Sequence, residues 1–109
     1  MTLNEYQQIA DLTAGYPNKG HNLPYTTLGL CGESGEVAEK VKKLMRDDFG
    51  VLTDERREAI ANELGDVLWY LQATAMELGY TLEQIAQINV FKLSTRARRN
   101  KISGEGDNR

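Results

Sequence analysis

The stretches ESGEV, residues 33–37, and ELGDV, residues 63–67, repeat one pattern thirty residues apart: acid, any residue, glycine, acid, valine. At about 100° per residue, Glu33 falls angularly between Leu30 and Val37, and Glu63 between Ile60 and Val67. Both acids thus lie on the stripes that two helices would turn towards a core. Glu36 and Asp66 stand three residues further on along the same edges, so the acids of each pair can converge on one point. The turn around Phe49-Gly50 is short, which makes the two helices antiparallel neighbours and brings the pairs together. A glycine inside a helix costs about 1 kcal/mol relative to alanine. Gly35 and Gly65 therefore read as positions where a backbone or a ligand approaches closely.

Outward from this centre the chain is helical throughout. Thr2 and Glu5 have the spacing of a capping box for a short first helix over about residues 3–14. GYPNKGHNL, residues 15–23, reads as a loop, with Pro24 suited to the first turn of the next helix. That helix runs to about Asp47 with Leu30, Val37, Val41 and Leu44 on its apolar stripe, and Glu36/Lys40 and Glu39/Lys43 as pairs one turn apart. Thr53 or Asp54 caps a third helix with the apolar face Ile60, Leu64, Val67, Leu68, Leu71, Ala75 and Leu78, closed by Gly79. Thr81 and Gln84 offer a second capping box for a fourth, carrying Leu82, Ile85, Ile88, Phe91 and Leu93 and ending in Arg96, Arg98, Arg99 and Lys101. No β alternation of useful length occurs. The expected fold is all-α: a helical bundle with two long antiparallel central helices and shorter flanking ones, one domain over residues 1–102, then a polar tail over 103–109.

Composition agrees with a globular domain. The 109 residues are 40% hydrophobic and 27% charged, with a net charge of -3. A chain of this size buries only about 60–65% of its unfolded surface, so self-association is expected. The acidic balance disfavours nucleic acid as a partner. Cys31 cannot form an intramolecular disulfide and reads as part of a packed helix, which with the missing signal-peptide pattern gives a cytoplasmic setting. No run of 18 apolar residues exists, so no membrane partner is expected.

Four carboxylates facing one interior point cannot all remain ionised without compensation. A divalent cation supplies it. Oxygen ligands without thiolate or imidazole select Mg²⁺, with Mn²⁺ as a substitute, and Mg²⁺ with few protein ligands shares its shell with water and phosphate oxygens. The bland alternative is a solvated acidic face; a single Glu-x-x-Glu would favour it, whereas two matched copies on apolar stripes favour metal. A di-iron centre built from Glu-x-x-His pairs is not supported, because the one histidine, His21, lies in the loop.

The pattern Glu-x-x-Glu, 26 intervening residues, Glu-x-x-Asp, borne by Glu33, Glu36, Glu63 and Asp66, resembles the all-α nucleoside triphosphate pyrophosphohydrolases of the MazG type. LGLCGESGEVAEKVKK and ELGDVLWYL are similar to the two motif helices of small phage and bacterial members, and the tail GEGDNR is also similar to theirs. The resemblance implies Mg²⁺-dependent hydrolysis of a nucleoside triphosphate between the α and β phosphates, giving the monophosphate and pyrophosphate, as nucleotide-pool house-cleaning. It implies that Glu33, Glu36, Glu63 and Asp66 hold the metal. It also implies that Asn89, Lys92 and Arg96 meet the substrate phosphates, and that subunits join as a homodimer or homotetramer around a four-helix core. At Gly32 the chain departs from many relatives, which carry a further glutamate there, so the resemblance assigns no general base.

Trp69 and Tyr70 follow Asp66 by three and four residues and have two readings, stacking on a nucleobase or packing in the core or at a subunit interface. The basic end of the last helix suits a helix C-terminus as well as it suits phosphate. The competing functional class is a non-catalytic helical module that binds metal or nucleotide for regulation.

Overall fold

The computed structural model describes residues 1–98. Four helices follow in order: α1 (Leu3–Asp11), α2 (Leu23–Asp47), α3 (Asp54–Glu77) and α4 (Leu82–Arg98). No strand occurs among the described residues. The expected tail over 103–109, with Arg99 and Lys101, lies outside them.

Local chemistry sets the helix ends. Thr2 and Glu5 form a reciprocal capping box, and so do Thr81 and Gln84, each side chain accepting from the other residue's backbone N–H. Asn22 caps α2 by accepting from Tyr25 N–H, so the helix starts at Leu23, one residue before Pro24. Thr53 caps α3. At its other end Gly79 has φ of 81°, and Gly79 N–H and Tyr80 N–H return to the carbonyls of Met76 and Ala75. Only a residue at ease in the left-handed region closes a helix this way. α1 is shorter than expected and ends at Asp11.

The two long helices form the body of the fold. Gly29 meets Tyr70, Lys40 meets Glu63 and Asp48 meets Arg56, so residue numbers rise on one helix as they fall on the other and the pair is antiparallel. At the hairpin end Arg56 Nε lies 2.7 Å from Asp48 Oδ2 and its Nη2 lies 3.8 Å from Asp47. The other end is closed by α1 and the start of α4. There the buried Gln7 Nε2 donates to the carbonyls of Gln72 and Tyr80, while its Oε1 accepts from Leu82 N–H at 2.9 Å. Tyr16 stacks on Tyr25 in the same region, with ring centroids 5.0 Å apart.

The core within one chain is small: Ala10, Tyr16, Leu44, Ala73, Ala75 and Leu82 among apolar residues, with Gln7, Thr26, Gln72 and Arg96 among polar ones. Several residues expected on inward stripes are exposed, notably Val41, Leu64, Leu71 and Leu78, and on α4 Ile88, Phe91 and Leu93. Cys31 is exposed too, contrary to the packed position expected of it. Among the described residues α2 packs against no helix but α3, and α4 touches α1 and α3 only lightly, so each stripe is covered on one side and bare elsewhere.

Candidate functional site

The site is built where the middle of α2 faces the middle of α3. One carboxylate oxygen from each of Glu33, Glu63 and Asp66 lies within 4.8 Å of the others; Glu33 and Glu63 are half-buried and Asp66 is exposed. Antiparallel pairing of two helices with acids on matching edges produces this convergence. Glu36, also expected there, is exposed and lies outside the group of three. Its position one turn along α2 still leaves its charge felt by Glu33.

The electrostatics register that crowding. The Glu33 carboxyl is pushed above its ordinary value, first by desolvation, then by the charge of Asp66, a hydrogen bond with Glu63, and the charges of Glu63 and Glu36. Tyr6, brought in by α1, has its phenol raised by burial and then by Asp66. The Tyr70 phenol is raised by burial first, then by Tyr25 beside it, and then by Glu33 and Asp66. Tyr70 therefore lies between the carboxylates and the Tyr25–Tyr16 stack.

The donor set fits a hard divalent cation. Oxygens around one octahedral Mg²⁺ lie roughly 3–4 Å apart, so three carboxylates within 4.8 Å need only a small closure to share one ion. Half-buried like charges also make such an ion favourable. Gly35 and Gly65, expected at close approaches, face open space: among the described residues nothing outside their own helix backbone would lie within 4 Å of a Cβ there. The close approach falls instead at Gly29, where a Cβ would overlap the Tyr70 ring.

Of the remaining candidates, Trp69 is half-buried, donates from Nε1 to Thr13 Oγ1 at 2.8 Å and meets Tyr70 edge-on. Asn89, Lys92 and Arg96 share a side of α4: Asn89 is exposed, Lys92 half-buried and Arg96 buried. Sequence reasoning missed Lys40, whose Nζ lies 3.9 Å from Glu63 Oε1. It also missed Tyr25 and Gly29, whose roles come from contacts some forty residues away along the chain. No helix among the described residues is long and apolar enough to cross a membrane.

Over its whole length, and the relative's, the chain is 46% identical to the "Gene 37 protein" of Mycobacterium phage L5. No solved structure matches. The family described as "MazG nucleotide pyrophosphohydrolase domain" matches residues 23–100, which span α2, the three convergent carboxylates and α3 through α4. With both acid pairs inside that match, the chain belongs to the MazG nucleotide pyrophosphohydrolase domain family.

Proposed function

We propose that this protein is a divalent-metal-dependent nucleoside triphosphate pyrophosphohydrolase, cleaving an NTP or dNTP between its α and β phosphates to release the monophosphate and pyrophosphate. The observation that carries this reading is the convergence of Glu33, Glu63 and Asp66 from two helices onto one point. Glu36 joins them by a side-chain rotation. Mg²⁺, or Mn²⁺ in its place, would supply charge neutralisation for the phosphates and a bound water of lowered pKa when held there.

The chain's own residues do the rest. Glu33, Glu36, Glu63 and Asp66 would hold the ion. Lys92 and Arg96, about one turn apart on α4, take the negative charge that grows on the leaving pyrophosphate, and Asn89 donates beside them. Tyr70, aligned by Gly29, and Trp69, fixed by Thr13, line the route from the carboxylates towards the aromatic stack and receive the nucleoside. Gly35 and Gly65 leave room for substrate or for a second copy. The active form is a homodimer or homotetramer in which paired hairpins make a four-helix core. Removal of unwanted nucleotides from the pool is the role this chemistry serves.

The test is pyrophosphate release from a panel of canonical and modified nucleoside triphosphates with Mg²⁺ or EDTA, products resolved by chromatography. Monophosphate and pyrophosphate that disappear with EDTA, and with Glu36→Gln or Asp66→Asn at unchanged helicity, are expected. Orthophosphate as the product, or turnover retained in both variants, would overturn the reading. Nucleotide binding without turnover would favour the regulatory module.

A further inference from the structure

Lys40 stands four residues after Glu36, the spacing of an ordinary helix-surface pair, yet its ammonium reaches across the hairpin to the carboxylate of Glu63 instead. The two side chains are 27% and 17% exposed, so this contact is more sheltered than the surface pairs Lys42 and Lys43 make with Glu39. Seven residues separate Lys40 from Glu33, two helical turns, which keeps both on one face of α2. The ammonium thus stands at the Glu63 edge of the group that Glu33, Glu63 and Asp66 form.

We propose that Lys40 is an internal counter-ion of the carboxylate site, competing with the bare divalent cation and released when a cation enters together with a triphosphate. This inference rests on the metal reading above and adds its regulation. A lysine is a compact charge on a flexible four-carbon stem, able to hold a carboxylate in one state and swing away in another. When Glu63 turns its oxygen to a divalent ion, the ammonium loses its partner and meets a like charge of greater size. An ion arriving alone must overcome that repulsion. An ion arriving on a polyphosphate brings negative oxygens within reach of the displaced ammonium, so the lysine exchanges one anionic partner for another. The site therefore favours the metal–nucleotide complex over the free ion, which spares the empty enzyme from idle loading.

The experiment measures binding, without turnover. Mn²⁺ alone is titrated into wild type, Lys40→Met, Lys40→Arg and Glu63→Gln, followed by electron paramagnetic resonance of free Mn²⁺ and by calorimetry; a nucleoside triphosphate analogue with a non-hydrolysable α–β bridge is then titrated with Mn²⁺ held constant. Lys40→Met should bind bare Mn²⁺ about three- to tenfold more tightly, as expected for removal of one nearby partly screened positive charge. It should bind the analogue more weakly, with Lys40→Arg near wild type in both. Circular dichroism confirms folding of each variant. Unchanged or weaker Mn²⁺ binding by Lys40→Met, with Glu63→Gln clearly impaired, would overturn the counter-ion and leave the metal site standing. Glu63→Gln equal to wild type, or no binding by any variant, would overturn both.

Discussion

The ring of Tyr70 occupies the space that a side chain on Gly29 would take. The two residues lie on different long helices, so their contact sets how closely α2 and α3 approach just beside the carboxylates. Gly29→Ala should push the ring aside at about 1–3 kcal/mol of overpacking, offset in part by about 1 kcal/mol of helix propensity. Gly32→Ala, three residues away with nothing within 4 Å, should gain up to about 1 kcal/mol. Thermal unfolding of the two variants separates them: midpoints moving in opposite directions are expected, and equal rises would show that the ring yields freely.

A stabilising substitution follows from Gln72. It is fully buried, and neither its side-chain oxygen nor its nitrogen has a hydrogen-bond partner among the described residues. Burying an amide this way costs about 1–3 kcal/mol. Gln72→Met keeps the length and removes the polar atoms, so denaturant unfolding should show a gain of about 1–2 kcal/mol at constant m-value. A loss would mean that the amide has a polar role in the assembled protein.

The convergence of Glu33, Glu63 and Asp66, three of the four motif acids, was legible because their spacing puts them on helix stripes, and the helix ends were legible because caps such as Thr2 with Glu5 are local. What escaped was which individual side chains meet between the helices. Lys40 had an obvious partner in Glu36 and took Glu63. Gln7 drew no notice in the sequence and is the buried joint of three segments. Helical periodicity says which side a residue is on and nothing of what stands opposite. It also cannot say how many neighbours a stripe will have, which is why Val41, Leu64 and Leu78 read as core and lie exposed.

Metal should stabilise the fold measurably. A ligand that binds only the folded state at about one hundred times its Kd adds about 2.7 kcal/mol. Saturating Mn²⁺ or Mg²⁺ should therefore raise the unfolding midpoint by several degrees, EDTA should reverse the rise, and Glu63→Gln should remove it. Glu63→Gln in EDTA relieves the crowding with Glu33 and Asp66 but gives up the ion pair with Lys40, so its stability should stay within about 1 kcal/mol of wild type. A midpoint indifferent to both ions would count against the site.

Acid sensitivity has a local source at the hairpin end. The Asp47 carboxyl is held below its ordinary value, chiefly by its hydrogen bond with Arg46, against desolvation, and by the charges of Arg46, Arg56 and Lys43. A depressed carboxyl contributes stability that is present above its unfolded pKa and is lost as pH falls through the lower folded one. The loss should thus fall below about pH 4, the ordinary aspartate range. Unfolding midpoints from about pH 6 down to pH 3 should converge for wild type and Asp47→Asn at the acid end, wild type being the more stable near neutrality. Parallel curves would assign the acid response elsewhere.

Leu64 and Leu71 on α3 and Leu78 at its C-cap recur every seven residues and are 53%, 36% and 54% exposed. A heptad seam of this kind is what a second helix hairpin would cover. A specific interface buries about 1,200–2,000 Å² in total, well within reach of two hairpins joined along helices of 25 and 24 residues. Sedimentation should therefore give a particle of two or four 12.2 kDa chains, with an unfolding midpoint that rises with protein concentration. Leu71→Glu and Leu78→Glu place a charge in the seam, far enough from Asp66 to leave the carboxylate group intact. Both should shift the particle towards monomer and lower the midpoint. A monomer at tens of micromolar in wild type, or variants that assemble unchanged, would show that this seam faces water.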